Sequence, residues 1–296
     1  MMGKLREKFK LGVWNVGIID SKVEDLLENT AKLSVRWVKH KYRDRFFADP
    51  FLYSKDENSY YILVEEFPFY ENRGFISLLT VDRRTMRLTK KEKLIEESWH
   101  LSYPIVYDGK IVPEAYRSGK VFAYDFKEPN SMPKEEIFPS GLIDQTFLHY
   151  DGYEWIFATD KENPLAGLKI FYRKDNESWV PHKLNPVKTD IKNSRPGGNF
   201  FVRNGRLFRP VQDSEECYGR RIRIMQIDSL TTDNFAEHEV AVFDSDTYPP
   251  YNKAFHTFNV EDSFVVVDGY REYTSFFIKP MCLKLPKIMR KLGEKR

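Results

Sequence analysis

Four segments of the chain place ionisable residues where strand-forming sequence begins: Asp49 before Pro50 and Phe51, Asp144 after Ile143, Arg195 before Pro196, and His256 before Thr257 and Phe258. The apolar runs that follow close on Glu65 and Glu66, on Glu114, on Arg209, Gln212 and Asp213, and on Asp268 and Arg271. Carboxyl groups gathered at one place can divide into a base and an acid when their surroundings set their pKa values apart. Arginines there can clamp a phosphate or a sugar carboxylate through paired N–H donors. Strands that only pack a core need no such residues at a recurring phase, so the set reads as a ligand site, with a hydrogen-bonded polar plug as the alternative. His256 reads first as a hydrogen-bonded structural histidine and only second as a catalyst. His100, His149 and His182 show no metal-ligand spacing, and the chain carries no zinc pattern, P-loop or G-x-G-x-x-G. No metal and no cofactor are therefore expected.

The elements that must position these residues are strands. Five segments repeat one shape, an apolar strand, a tight turn, a second apolar strand and a polar exit: 48–66, 101–120, 143–160, 195–213 and 256–272. Asp108-Gly109, Asp151-Gly152 and Asn204-Gly205 supply the positive φ angles of two-residue hairpins. The spacing leaves room for one four-stranded sheet per repeat, within the usual size of a propeller blade. The expected fold is all-β, a five-bladed β-propeller filling residues 1–296 as a single domain, with a β-sandwich as the alternative. Ser21-Lys22-Val23-Glu24 has the form of a capping box and predicts one helix from Val23 to about Lys32. Gly197-Gly198 permits either a backbone approach to a phosphate or a bulge where a blade begins. Arg221 and Arg223, alternating with Ile222 and Ile224, read as the solvated face of an outgoing strand after Tyr218-Gly219.

Composition bounds the class. Of 296 residues, 41% are apolar and 31% charged, as in soluble globular chains. No apolar stretch reaches the roughly 18 residues of a membrane span, and the first residues lack the apolar core of a signal peptide. Two cysteines, Cys217 and Cys282, form no disulfide framework, so a cytoplasmic location is expected. The net charge of +3 is uneven: residues 1–10 carry +3 and residues 279–296 carry +6, which leaves −6 on the body. A mildly acidic body disfavours nucleic acid as a partner. The two basic ends, above all the tail 279–296, suit a peripheral contact with an anionic membrane surface.

Several motifs in order carry a resemblance. Ala48-Asp49-Pro50-Phe51, Ile143-Asp144-Gln145 and the five-blade spacing resemble the propellers of glycoside hydrolase family 43. A longer series is similar to the N-terminal propeller domain of plant glucosamine inositolphosphorylceramide transferases and to bacterial proteins linked to cell-surface glycan synthesis. It runs through Phe47 to Phe51, Ser102-Tyr103-Pro104, Pro113-Glu114, Asp144, Pro181-His182, Asn185-Pro186 and Ser194-Arg195-Pro196-Gly197-Gly198. It continues through Arg209-Pro210, Gln212-Asp213, Tyr218-Gly219 and His256-Thr257-Phe258-Asn259. In the family 43 pattern, the Asp opening the first blade is the base, which implies Asp49. An Asp opening the third blade tunes and orients the acid, which implies Asp144. The acid itself is a Glu opening the fourth blade, where this chain has Arg195.

Arginine stays charged and is no general acid. Either Glu114 takes that role or the chemistry is not ordinary hydrolysis, and the second is the expectation. The resemblance then implies glycosyl transfer from a sugar phosphate or sugar nucleotide in polysaccharide or glycolipid synthesis. Asp49 would be the base, Asp144 and Glu114 would position the sugar, and Arg195 with Arg209 would hold the anionic part. Gln212, Asp213, His256, Tyr103 and Glu66 are the further expected contacts, although strand alternation lets either Glu65 or Glu66 face inward. A non-catalytic glycan-binding module serving a partner glycosyltransferase is one alternative, and an inverting glycoside hydrolase is the other.

Overall fold

The computed structural model describes residues 9–28, 30, 34–126, 134–175 and 177–276. The chain begins with β1 (Lys10–Ile19), a short helix α1 (Val23–Glu28) and β2 (Val35–Trp37). A first blade follows, β3 (Arg45–Lys55), β4 (Ser59–Pro68), β5 (Phe75–Asp82) and β6 (Leu88–Ile95). The second blade is β7 (Ser102–Tyr107), β8 (Lys110–Glu114), β9 (Val121–Tyr124) and β10 (Lys134–Phe138). The third is β11 (Ile143–Tyr150), β12 (Tyr153–Thr159) and β13 (Gly167–Arg173), with β14 (Val180–Pro181) and β15 (Lys188–Thr189) both paired to β13. The fourth is β16 (Phe201–Arg203), β17 (Arg206–Asp213), β18 (Arg221–Leu230) and β19 (Phe235–Asp244). The chain ends in β20 (Phe258–Val260) and β21 (Val265–Thr274).

The fifth blade is assembled from both parts of the chain. Its strand order is β20, β21, β1, β2, and β1 pairs with β21 along its whole length, from Lys10 opposite Thr274 to Ile19 opposite Val265. The repeats at 48–66, 101–120, 143–160, 195–213 and 256–272 are thus the inner hairpins of five blades, as their spacing implied. The first segment of the chain, which carried no repeat, supplies the two outer strands that close the ring. The helix is shorter than expected and buries Val23 and Leu26. Residues 31–33, the basic residues Lys4, Arg6 and Lys8, and the tail 279–296 lie outside the described residues. Among those described, no helix is long and apolar enough to cross a membrane.

The core sits between blades rather than at a single centre. Phe51 and Leu63 of the first blade pack with Ile105 and Ile111 of the second and Phe147 and Ile156 of the third. Val16 and Ile18 of the closing blade pack with Phe47, Ile62 and Val64 of the first. Middle strands are covered on both faces, which is why Tyr60–Val64 and Val265–Val267 read as near-continuous apolar runs. Each fully buried aliphatic or aromatic side chain contributes about 1.5–3 kcal/mol.

The turn dipeptides behave as their chemistry dictates. Asp108 and Gly109 have φ of 49° and 73°, Asp151 and Gly152 have 50° and 75°, and Asn204 and Gly205 have 53° and 71°. These turns lie at the ends of the inner hairpins remote from the polar residues. At the other end, the inner strands of three blades carry the same irregularity. The register shifts between Ala48 and Phe51, between Ser102 and Ile105, and between Ile143 and Thr146. In each bulge one residue adopts a left-handed conformation: Asp49 at φ 49°, Tyr103 at 44° and Asp144 at 50°.

Candidate functional site

The three bulges turn these side chains or their backbone toward the axis and lock them to one another. A non-glycine residue held left-handed costs on the order of 1–3 kcal/mol, and such strain persists where surrounding contacts over-determine it. Asp49 Oδ2 accepts the Tyr103 backbone N–H at 3.1 Å, and Thr257 donates to Asp49 Oδ1 at 3.3 Å. The Tyr103 hydroxyl reaches Thr146 Oγ1 at 2.9 Å, joining the second and third blades. A residue before proline is ordinarily held extended, yet the bulge places Asp49 left-handed.

Asp144 is held from the fourth blade. Arg195 Nε donates to Asp144 Oδ2 at 2.6 Å, and Gln212 Nε2 donates to the same oxygen at 2.7 Å. Arg195 also donates to the Pro164 carbonyl and to the Tyr218 hydroxyl, both at 3.2 Å. Glu114, on the second blade, accepts from Ser102 at 3.0 Å and from the Tyr116 backbone N–H at 3.2 Å. Glu65 faces the same space, with His100 Nε2 3.4 Å from its Oε1. His100 Nδ1 accepts the Gly74 N–H, so the ring proton sits on Nε2 and points at Glu65.

The closing blade adds a histidine between two aspartates. His256 Nδ1 donates to Asp268 Oδ2 at 2.6 Å, while its Nε2 stands 3.6 Å from Asp49 Oδ1. Asp268 is further satisfied by the backbone N–H groups of Asp49, His256 and Thr257 at 3.0–3.2 Å. Trp14 of β1 stacks on the imidazole, ring centroids 3.9 Å apart and 10° from parallel. Asp49, His256 and Asp268 bring three donor atoms within 4.8 Å of one another, a set able to hold a metal ion. The expectation of no metal rested on sequence spacing alone, and this grouping comes from three distant strand ends.

Five carboxyl groups therefore share the site with one arginine and two histidines, and the electrostatics follow. Burial pushes Asp49 up to about 6, aided by Asp144 and Asp268 and opposed by His256. Burial pushes Glu114 up to about 7, with Asp144 adding to the rise and Arg195 and Ser102 opposing it. Glu65 is raised well above the ordinary carboxyl range, first by burial and then by the charge of Asp49. Burial opposes a charged His256, but Asp268 and Asp49 outweigh it and raise the imidazole. Such a well is rich in hydrogen-bond acceptors and suits a ligand that brings hydroxyl or ammonium donors.

Of the residues expected from sequence, Asp49, Tyr103, Glu114, Asp144, Arg195, Gln212 and His256 come together here. Three do not. Arg209 is fully buried and binds Glu237 through both Nε and Nη2, at 2.6 and 2.7 Å, so it forms no clamp with Arg195. Asp213 is committed to Arg223, at 2.9 and 2.7 Å. Glu66 turns to the other face of β4, where it accepts from Ser77 at 2.6 Å and Lys91 at 2.8 Å and pairs with Arg45. Glu65 takes the inward place. Gly197 and Gly198 serve the blade junction: the Gly197 carbonyl accepts from Phe258, and a Cβ on Gly198 would lie 2.2 Å from the Phe258 oxygen. Arg221 and Arg223 lie in ion pairs with Asp244 and Asp213 rather than on a plain solvated face.

Trp14, Tyr218, Thr257 and His100 belong to the site without having been assigned to it. In the sequence, Tyr218-Gly219 reads only as the pair ahead of an outgoing strand. Its glycine gave the signal, since a Cβ there would lie 2.6 Å from His256 Cβ. Trp14 had none, because its place depends on the pairing of β1 with β21.

A five-bladed ring with a polar axial well is the fold of glycoside-hydrolase-type propellers. The chain superposes on the catalytic domain of the Coprinopsis cinerea GH62 alpha-L-arabinofuranosidase with a TM-score of 0.56, covering 78% of this chain and 94% of that one at 8% identity. Residues 31–259 match the family described as glucosamine inositolphosphorylceramide transferase 1, N-terminal, and the chain belongs to that family. It is 32% identical over 213 residues to glucosamine inositolphosphorylceramide transferase 1 of Arabidopsis thaliana, covering 66% of this chain and 27% of that protein. The same figure, 32% over 217 residues, holds for the protein of that name from Oryza sativa subsp. japonica, with 66% and 28% coverage. The chain thus spans little more than a quarter of the length of these relatives.

Proposed function

We propose that this propeller is a carbohydrate-processing module of glycolipid or cell-surface glycan synthesis, and that its axial well binds the sugar at which glycosyl transfer takes place. The observation that carries this reading is the acceptor-rich well with two carboxyls of raised pKa, Asp49 and Glu114, in a chain whose named relatives are glycolipid glycosyltransferases. Asp49, with a pKa near 6, is largely ionised at neutral pH and is the base. It takes the proton of the acceptor hydroxyl as that oxygen bonds to the anomeric carbon. The bond from that carbon to the leaving oxygen breaks, and the electron pair departs with the oxygen. Glu114, near 7, retains a proton to give to that oxygen. Asp144, fixed by Arg195 and Gln212, accepts hydrogen bonds from ring hydroxyls.

The expected arginine clamp has no support in this geometry, because Arg209 is spent on Glu237 and Arg195 on Asp144. Charge on a departing phosphate would have to be met by Glu114 or by a cation brought with the donor. The raised pKa of Glu114 also favours a second reading, inverting hydrolysis, in which water takes the place of the acceptor hydroxyl. The basic segments at 1–10 and 279–296 would hold the module at an anionic membrane surface on the cytoplasmic side.

The test is a thermal-shift screen of sugar nucleotides, sugar phosphates and neutral oligosaccharides, followed by turnover assays with the ligands that bind. A ligand at 100 times its dissociation constant stabilises the fold by about 2.7 kcal/mol. Asp49→Asn is expected to abolish turnover while the chain stays folded, and full activity in that variant would remove Asp49 from the mechanism. Binding without turnover, with a glycosyltransferase recovered from the native host on the immobilised protein, would establish the non-catalytic module instead.

A further inference from the structure

Beside the axial well, on the closing blade, lies a groove of about 480 Å³ walled by Trp14, Tyr218 and Tyr270 and edged by Cys217, Lys253 and Glu272. Its volume falls within the roughly 300–1,000 Å³ of small-molecule sites. Two of its walls are also walls of the well. Trp14 carries His256 on one ring face, and Tyr218 meets His256 edge-on with centroids 5.4 Å apart while its hydroxyl accepts from Arg195. The two spaces therefore adjoin across these rings.

The groove is built and not left over. Tyr270 lies across β1 only because residue 12 is glycine: a Cβ there would stand 1.9 Å from the Tyr270 hydroxyl oxygen. The ring is then tilted 46° to Trp14 with centroids 5.1 Å apart, so the two form adjoining sides of one apolar trough. Gly219, at φ 61°, lets Tyr218 close the third side against His256.

The chemistry of the trough differs from that of the well. Aromatic walls offer apolar faces with polar tips at their edges, matching a pyranose ring with its C–H face against the rings and its hydroxyls at the rim. Lys253 and Glu272 supply one donor group and one acceptor group at the edge, and Glu272 is paired with Lys10 at 3.5 Å. The walls that would meet the ring are aromatic and uncharged, and the charged groups stand at the edge.

We infer that the groove binds a second, uncharged sugar ring whose neighbour occupies the axial well, so that the ligand is a glycan at least two residues long. This rests on the carbohydrate reading of the well. Cys217, exposed at the rim with a free thiol, reports on the groove without any need for turnover.

The experiment uses the full chain with Cys282→Ser, so that Cys217 is the sole thiol. Its alkylation by iodoacetamide is timed alone, with glucose and N-acetylglucosamine, and with cellobiose, lactose and diacetylchitobiose, while a parallel thermal shift reports binding anywhere on the chain. A disaccharide at ten times its dissociation constant is expected to slow alkylation about tenfold. Monosaccharides are expected to shift the melting temperature in an Asp49-dependent way and to leave the thiol reactive. Tyr270→Ala, or Lys253→Ala should the first variant fail to fold, is expected to abolish the protection and keep the monosaccharide shift. Disaccharides that shift the melting temperature but leave Cys217 reacting at its free rate would overturn the groove and spare the well. Absence of any shift and any protection would overturn the carbohydrate reading and the groove with it.

Discussion

At the scale of single residues, the axial carboxyls cost the fold stability. A carboxyl whose pKa is higher folded than unfolded holds its proton more tightly when folded, so the folded state loses stability as pH rises through that interval. For Asp49 the interval runs from 3.8 to about 6, and for Glu114 from 4.5 to about 7. Asp49→Asn and Glu114→Gln are therefore expected to be more stable than the parent at pH 8 by roughly 1–3 kcal/mol each, at 1.36 kcal/mol per pKa unit. The gain should vanish near pH 4, and urea melts at both pH values will measure it. The same two groups predict a narrow, bell-shaped activity profile, with limbs belonging to the coupled cluster rather than to either residue alone. Arg209 makes the opposite case. Removing it leaves the buried Glu237 with Lys188 as its remaining cation, at 2.7 Å, so Arg209→Ala should cost up to about 3 kcal/mol. Replacing both partners by apolar residues, Arg209→Met with Glu237→Leu, should recover most of that loss and leave saccharide binding unchanged. A folded double variant that no longer binds sugar would restore Arg209 to the site.

At the scale of elements, the bulge shared by three inner hairpins is what turns their polar residues together at the axis. Glycines in this fold divide by what surrounds them. Gly109 has φ 73° and open space where a Cβ would go, so Gly109→Ala should cost only about 1 kcal/mol of backbone strain. Gly198 has φ 147° and the Phe258 carbonyl in that space, so Gly198→Ala should cost roughly 2–4 kcal/mol and loosen the junction of the fourth and fifth blades. Thermal melts of the two variants side by side will decide it. This division also explains what could be read from the sequence. The hairpins were legible because turn dipeptides and apolar runs are local signals. The choice between Glu65 and Glu66 was not, because Tyr60–Val64 is covered on both faces and so carries no alternation to extend. Register decides it: Glu65 stands opposite Ala48 and Glu66 opposite Phe47. Arg209 looked like a ligand because its partner lies on β19, two strands away, where nothing in the sequence ties Glu237 to it. Asp49, Asp144 and His256 were found because each opens a repeat.

At the scale of the whole molecule, the ring is held shut by ten residue pairs between β1 and β21, and by the Ser275 N–H donated to the Phe9 carbonyl at 2.9 Å. Removing residues 1–20 would leave β21 as an open edge beside an uncovered Trp14 site. Such a truncation is expected to lose the single cooperative unfolding transition and to associate through that edge, as sedimentation and circular dichroism will show. The closure also dictates a timetable for the nascent chain. β1 leaves the ribosome before the other strands of the ring, and its partner β21 is the last of them to be made. At about 5–20 residues per second, the opening strand waits roughly ten to fifty seconds with its hydrogen-bonding edge and its tryptophan unclaimed. Four blades can fold during that wait, but the groove and the histidine of the axial well come into being only once β21 and the residues just before it have been made. Nascent chains halted before β21 should therefore need a chaperone to shelter β1, and would lack the proposed glycan site.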